Sequence, residues 1–216
     1  MKRILIGIGS AILFGFLIMK VPVLAIAPLF LMMWAIRSRI QLSITHFYST
    51  YVVIGIIFGG ITEILAILDN LHVPPEEKIL FHPDPGIDLL LGVGFYFFIA
   101  LIWAVLFKRY EFTWKSIMII GGIWGITAEQ NGMVLLRIIT EGVLPGLLGY
   151  GFVFLVYGPF MAIPALFLDE GRERGALERK ERSLKHLLLA WGGLWGAYIL
   201  AGVYMACVGM VLGLQL

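Results

Sequence analysis

Apolar residues run along this chain in long blocks rather than alternating with polar ones. The blocks cover about 4–19, 22–36, 51–68, 87–107, 116–138, 147–168 and 187–213, each bounded by charge clusters or by Pro and Gly turn residues. At 1.5 Å per residue, about 20 mostly apolar residues cross a hydrocarbon core of roughly 30 Å as a helix. The pattern therefore predicts an all-α, polytopic transmembrane bundle of about seven spans, forming one integral membrane domain over residues 1–216. The first block also has the form of a secretory leader, with Lys2 and Arg3, the apolar core Ile4–Ile18 and the small-residue ending Val23-Leu24-Ala25. Lys20 interrupts that form, so a retained first span is the expectation, with cleavage within residues 1–25 and six spans as the alternative.

Composition agrees with this. Apolar residues make up 60% of the chain and charged ones 14%, and the mean hydropathy of +0.95 lies outside the range of ordinary soluble domains. A formal net charge of +2 provides no basic surface for nucleic acid, so the lipid bilayer is the expected partner. The single cysteine, Cys207, cannot form an internal disulfide and is expected as a packed core thiol.

Charge matters more by its placement. Lys2, Arg3, Arg37, Arg39, Lys108, Arg109, Lys115, Arg172, Arg174, Arg179, Lys180, Arg182 and Lys185 fall on one side of the predicted spans, and only Lys20, Lys78 and Arg137 on the other. Because cytoplasmic loops retain Lys and Arg, this places the N-terminus in the cytoplasm and the C-terminus outside, in a plasma or inner membrane. Trp34 and Trp103, next to basic loops, are expected in the aromatic belt of the inner interface. Asp169–Lys185 mixes acids and bases and reads as a solvated helical connector.

The spans repeat. Ile54-Gly55-Ile56-Ile57-Phe58-Gly59 matches Ile120-Gly121-Gly122-Ile123-Trp124-Gly125 at an offset of 66 residues, and Gly192-Gly193-Leu194-Trp195-Gly196 follows at a further 71. Trp34-Ala35-Ile36 and Trp103-Ala104-Val105 extend the match to the preceding blocks. Spans two to seven thus read as three tandem helical hairpins after a first helix, each turning at a basic inner loop. Gly55 and Gly59, Gly121 and Gly125, and Gly192 and Gly196 form small-residue stripes on which another helix can pack closely.

Two stripes end in a carboxylate. Gly55, Gly59 and Glu63, and Gly121, Gly125 and Glu129, are spaced by four, so each glutamate shares the helix face of its glycines and points into the bundle. Both lie about 18–21 Å from the inner ends of their spans. An intramembrane carboxylate costs at least about 2.5–3.5 kcal/mol near the bilayer centre unless it is protonated, paired or wetted. Thr62 and Asn70 flank the first; Thr127, Gln130 and Asn131 flank the second; Arg137 is the nearest cation in the sequence. The two carboxylates are expected to line one cavity that takes a small cation, a proton or a polar substrate group. The alternative is a pair of neutral acids that only lock helices together by hydrogen bonds.

The outer loop Asp69–Asp88 holds His72, Glu76, Glu77 and His82, residue types that suit zinc or a harder cation, but in no metal-binding spacing. Pro74-Pro75-Glu76-Glu77 reads instead as the start of a short interfacial helix, and Asp84-Pro85-Gly86 as a turn. Pro159 and Pro164 are expected to kink the sixth span. Three two-helix repeats are similar in architecture to the mitochondrial carriers, whose acidic-basic signature after a helix proline is missing here. The intramembrane histidines of the ceramidase and adiponectin-receptor superfamily and the last-span lysine of retinal proteins are missing as well.

Three functions fit these features. One is a small transporter or channel-like protein in which Glu63 and Glu129 bind or relay a cation or proton. Another is an intramembrane enzyme acting on a lipid or isoprenoid, its carboxylates serving as acid and base. The last is a non-catalytic subunit or scaffold, homo-oligomeric or within a larger membrane complex, using the glycine stripes as contacts. The sequence leaves open whether the protein is an enzyme and names no cofactor.

Overall fold

Inside hydrocarbon each backbone N–H and C=O must find its partner within its own segment, so long apolar blocks fold as helices. The computed structural model describes residues 2–40, 46–74, 77–173, 181 and 183–214, and among these it is all-helical. In chain order the α-helices are α1 (Lys2–Lys20), α2 (Ile26–Ile36), α3 (Phe47–Asp69), α4 (Pro85–Arg109), α5 (Trp114–Ala128), α6 (Met133–Thr140), α7 (Val143–Glu173) and α8 (Leu184–Leu212). A 3-10 turn, Pro22–Ala25, leads into α2, and another, Arg37–Arg39, follows it. Six segments are long and apolar enough to cross a membrane: Lys2–Lys20, Pro22–Arg39, Phe47–Asp69, Pro85–Arg109, Val143–Leu168 and Leu184–Leu212. They are compatible with an integral, multi-pass membrane protein.

The fifth block, 116–138, differs from the expectation of one continuous helix. It breaks at Glu129–Gly132, where Gln130 (φ 51°), Asn131 (φ 55°) and Gly132 (φ 85°) are left-handed. Asn and Gly are the residues that tolerate this conformation best. The apolar rhythm resumes in α6, which makes the segment look uninterrupted in sequence.

Pairing also departs from hairpins that turn at basic loops. α3 packs along α4, α5 and α6 pack along α7, and α1 packs along α2. α2 barely meets α3, and the pairs α4–α5 and α7–α8 make at most marginal backbone contact among the described residues. The close pairs are therefore joined by the opposite set of loops. Glycines explain the choice: a Cβ on Gly55 would overlap the Ala100 Cβ, and one on Gly121 would stand 2.6 Å from Met161 Sδ, so α3 and α5 can approach α4 and α7 only without side chains there. Gly192 and Gly196 on α8 face open space.

α7 is the central helix, meeting α2, α3, α5 and α6, and it runs unbroken through Pro159 and Pro164. α8 packs against α4, with Tyr204 over Gly94. Trp103 is fully buried, its indole N–H on Met161 Sδ at 3.5 Å, which removes it from an interfacial belt. Trp34 fits a belt better, with Arg3 and Arg37 over its ring at 5.5 and 6.0 Å. Cys207 is exposed on α8 rather than packed in the core, because α8 buries only one face. Of the expected connector at 169–185, α7 continues to Glu173, while residues 174–180 and 182 lie outside the described residues.

Candidate functional site

The four-residue spacing along α3 becomes a strict register once α4 is packed against it. Gly55 meets Ala100, Gly59 meets Tyr96, and Glu63 lies over Gly92, so steps of four along α3 match steps of four back along α4. A Cβ on Gly59 would run into the Tyr96 ring, and one on Gly92 would lie 3.1 Å from Glu63 Oε2. The missing side chains bring the Tyr96 hydroxyl to Glu63, where it donates to Oε2 at 2.6 Å.

One turn further back on the same α4 face is Asp88. It is fully buried, its Oδ1 accepts from the backbone N–H of His82 at 3.0 Å, and its Oδ2 has no hydrogen-bond partner among the described residues. Glu63 interacts electrostatically with Asp88 and, more weakly, with Glu129.

The arrangement recurs between α5 and α7. Gly121 meets Met161, Gly125 lies 2.5 Å from Tyr157 Cγ by the same Cβ measure, and the Tyr157 hydroxyl donates to Glu129 Oε2. The surroundings then diverge. Eight residues before Tyr157, where Asp88 stands relative to Tyr96, is Gly149, and the Arg137 side chain lies on it, with Nη1 3.4 Å from a Cβ built there. Arg137 acts on Glu129 and pairs with Glu141 through Nε at 3.5 Å.

Rings join the two pairs. Phe160 contacts Tyr96 at 5.4 Å and Tyr157 at 5.7 Å between centroids. Trp124, fully buried and with no hydrogen-bond partner for Nε1 among the described residues, packs against Tyr157, Trp195 and Tyr198. Tyr198 donates to Asn131 Oδ1 at 3.2 Å, tying α8 to the helix break. A small void beneath Tyr96 is lined by Tyr51, Gly55, Tyr96, Ala100, Phe160 and neighbouring apolar groups, and neither glutamate is in its wall.

The other sequence candidates have local tasks. The Thr62 and Thr127 hydroxyls each donate to a carbonyl of their own helix, Phe58 O and Trp124 O, both at 2.8 Å. Asn70 donates to Ala66 O at 2.8 Å and accepts from Ile79 N at 3.1 Å, pinning the outer loop to α3. Gln130 and Asn131 form the break. His72 and Glu77 are exposed, His82 accepts from Asp84 N through Nδ1 at 3.0 Å, and Glu76, with Pro75 of the expected interfacial helix, lies outside the described residues. Among the described residues no three His, Cys, Asp or Glu side chains come together to hold a metal. Asp84-Pro85-Gly86, expected as a turn, is the start of α4: the Asp84 carboxylate accepts from Gly86 N at 2.9 Å and Ile87 N at 3.0 Å.

Sequence reasoning missed Asp88, Tyr96 and Tyr157 as partners of the glutamates. The signal for the first two was present, since Asp88, Gly92, Tyr96 and Ala100 are themselves spaced by four. Compared with known proteins, the chain matches no family model, no curated protein and no solved structure.

Proposed function

We propose that this is a small transporter or channel-like protein in which Glu63 and Glu129 bind or relay a proton or small cation. The observation that carries this reading is the coincidence of a half-buried carboxyl and a broken helix: the α5–α6 segment unwinds at Glu129 itself. Unwound backbone in an apolar bundle leaves carbonyls free of helical partners, and the C-terminal end of α5 directs its negative dipole to the same place. Both features favour a positive ion. Two tyrosine hydroxyls hold the carboxyls inward, away from lipid. With the basic loops retained in the cytoplasm, the N-terminus lies inside and the C-terminus outside, and the two glutamates lie in the outer half of a plasma or inner membrane.

The test is flux in reconstituted vesicles carrying an internal pH dye, under imposed proton, Na⁺ or K⁺ gradients. Wild-type protein should dissipate one of these gradients, and E63Q and E129Q should each slow it by about tenfold or more while folded yield holds, since an intramembrane carboxyl that carries an ion has no substitute. Equal flux in the variants, or none in the wild type, defeats the transport reading. Loss of folded protein in step with flux would support glutamates that merely lock helices.

A further inference from the structure

Glu63 and Glu129 occupy matching places yet meet opposite company. Glu129 has Arg137 beside it, seated on Gly149, whereas Glu63 has Asp88 at the corresponding position of its partner helix. Two carboxyl groups packed together away from water cannot both be ionised without a compensating cation, and the usual resolution is one proton held between them. The hydrogen bonds lead to the same place. Asp88 Oδ1 is satisfied by the His82 N–H, Glu63 Oε2 by the Tyr96 hydroxyl, and Asp88 Oδ2, fully enclosed, is left without a donor among the described residues. One acid proton supplies it.

We propose that Glu63 and Asp88 form a carboxylic acid–carboxylate pair sharing a single proton, and that the ion bound at this end of the bundle is therefore a proton. As a statement about the transported ion this rests on the transport reading above; the shared proton itself is measurable without it. A metal cation fits the same place poorly. Hard cations take about six or more oxygen ligands. Here two carboxyls stand alone, one lone pair is occupied by the Tyr96 O–H donor, and no third acid or histidine joins them among the described residues.

The groups facing Glu63 are Asp88 and Tyr96 from α4, Glu129 at the end of α5 and, through Glu129, Tyr157 from α7, with Arg137 of α6 directed at Glu129. Release of the shared proton would leave two adjacent carboxylates, so its departure must be coupled to arrival of another proton or to a movement that separates α3 from α4 at Gly92.

The experiment is infrared difference spectroscopy of the full chain in lipid nanodiscs, with the pH stepped through neutrality and a parallel run in D₂O. The wild type should show one protonated-carboxyl C=O band at neutral pH, shifted down in D₂O. E63Q and D88N should each abolish that same band, since either amide replaces the shared proton with its own N–H, and E129Q should keep it. Absence of the band from wild type, which needs no variant to fold, overturns the proposal. So does its survival in D88N, which would assign the proton to Glu63 alone, or its loss on adding Na⁺ or K⁺ at fixed pH, which would make the ligand a metal cation. A band with the expected behaviour in protein that moves no ions would keep the acid pair and remove the transport reading.

Discussion

Gly59 and Gly60 are neighbours with opposite duties. A Cβ on Gly59 would be driven into the Tyr96 ring, whereas one on Gly60 meets nothing within 4 Å. Overpacking of this kind costs about 1–3 kcal/mol, because the ring must shift or the helices must part. Gly59→Ala should therefore lower the thermal unfolding midpoint of the purified protein clearly and weaken the Tyr96–Glu63 bond. Gly60→Ala should leave the midpoint unchanged. Equal midpoints for the two variants would mean that the α3–α4 interface is looser than the structure has it. The glycine stripe was legible in sequence because four-residue spacing belongs to a single helix. The identity of the residue it seats was not, since that depends on which helix arrives.

The helix ends show the same division. Asp84 caps α4 through its carboxylate, and the backbone N–H groups of Ile87 and Gly86 hold its acid below the ordinary value of 3.8. A lowered acid of this kind contributes stability above the unfolded-state value, about 4, and loses it as pH falls through the lower folded value. Asp84→Asn keeps a capping acceptor, so stability at neutral pH should hardly change. The decline of the unfolding midpoint below about pH 4 should become shallower in the variant. Superimposable acid limbs would show that the cap carries no charge-dependent share. This helix start was readable as a turn from Asp-Pro-Gly, and its first turn simply continued into the span. The break at Glu129–Gly132 was less readable, because apolar periodicity on both sides outweighs four polar residues when only the sequence is at hand.

The interrupted segment bears on the topology of the whole chain. Along α7 the contacts proceed in one direction, from Gly121 at Met161 and Glu129 at Tyr157 to Leu135 at Tyr150 and Ile138 at Gly146. α5 and α6 thus run on past the break in the same sense. The proposed topology counts this segment as a crossing beside the six long apolar segments, and on that reading the termini should lie on opposite sides. A reporter fused at the N-terminus should be active inside and one fused at the C-terminus outside; activity of both on one side would mean that α6 turns back. The close pairs of chain neighbours are joined by the loops opposite to the basic ones, and the same contact scheme is found at α3–α4 and α5–α7. α8 carries the third glycine motif, of which Gly192 and Gly196 stay open while a Cβ on Gly193 would stand 2.9 Å from Ile102 Cγ2.

From the sequence alone come the membrane setting, the helices with most of their boundaries, and the two glutamates on glycine-bearing faces. All of these follow from hydrophobicity and from a helical period contained within one segment. The tertiary structure alone decided that Tyr96 and Tyr157 hold those glutamates, that Asp88 meets one and Arg137 the other, and that the fifth apolar block is broken. Such facts depend on which helix packs against which, and in a chain whose faces are apolar nearly all round, close approach at a few glycines settles that choice.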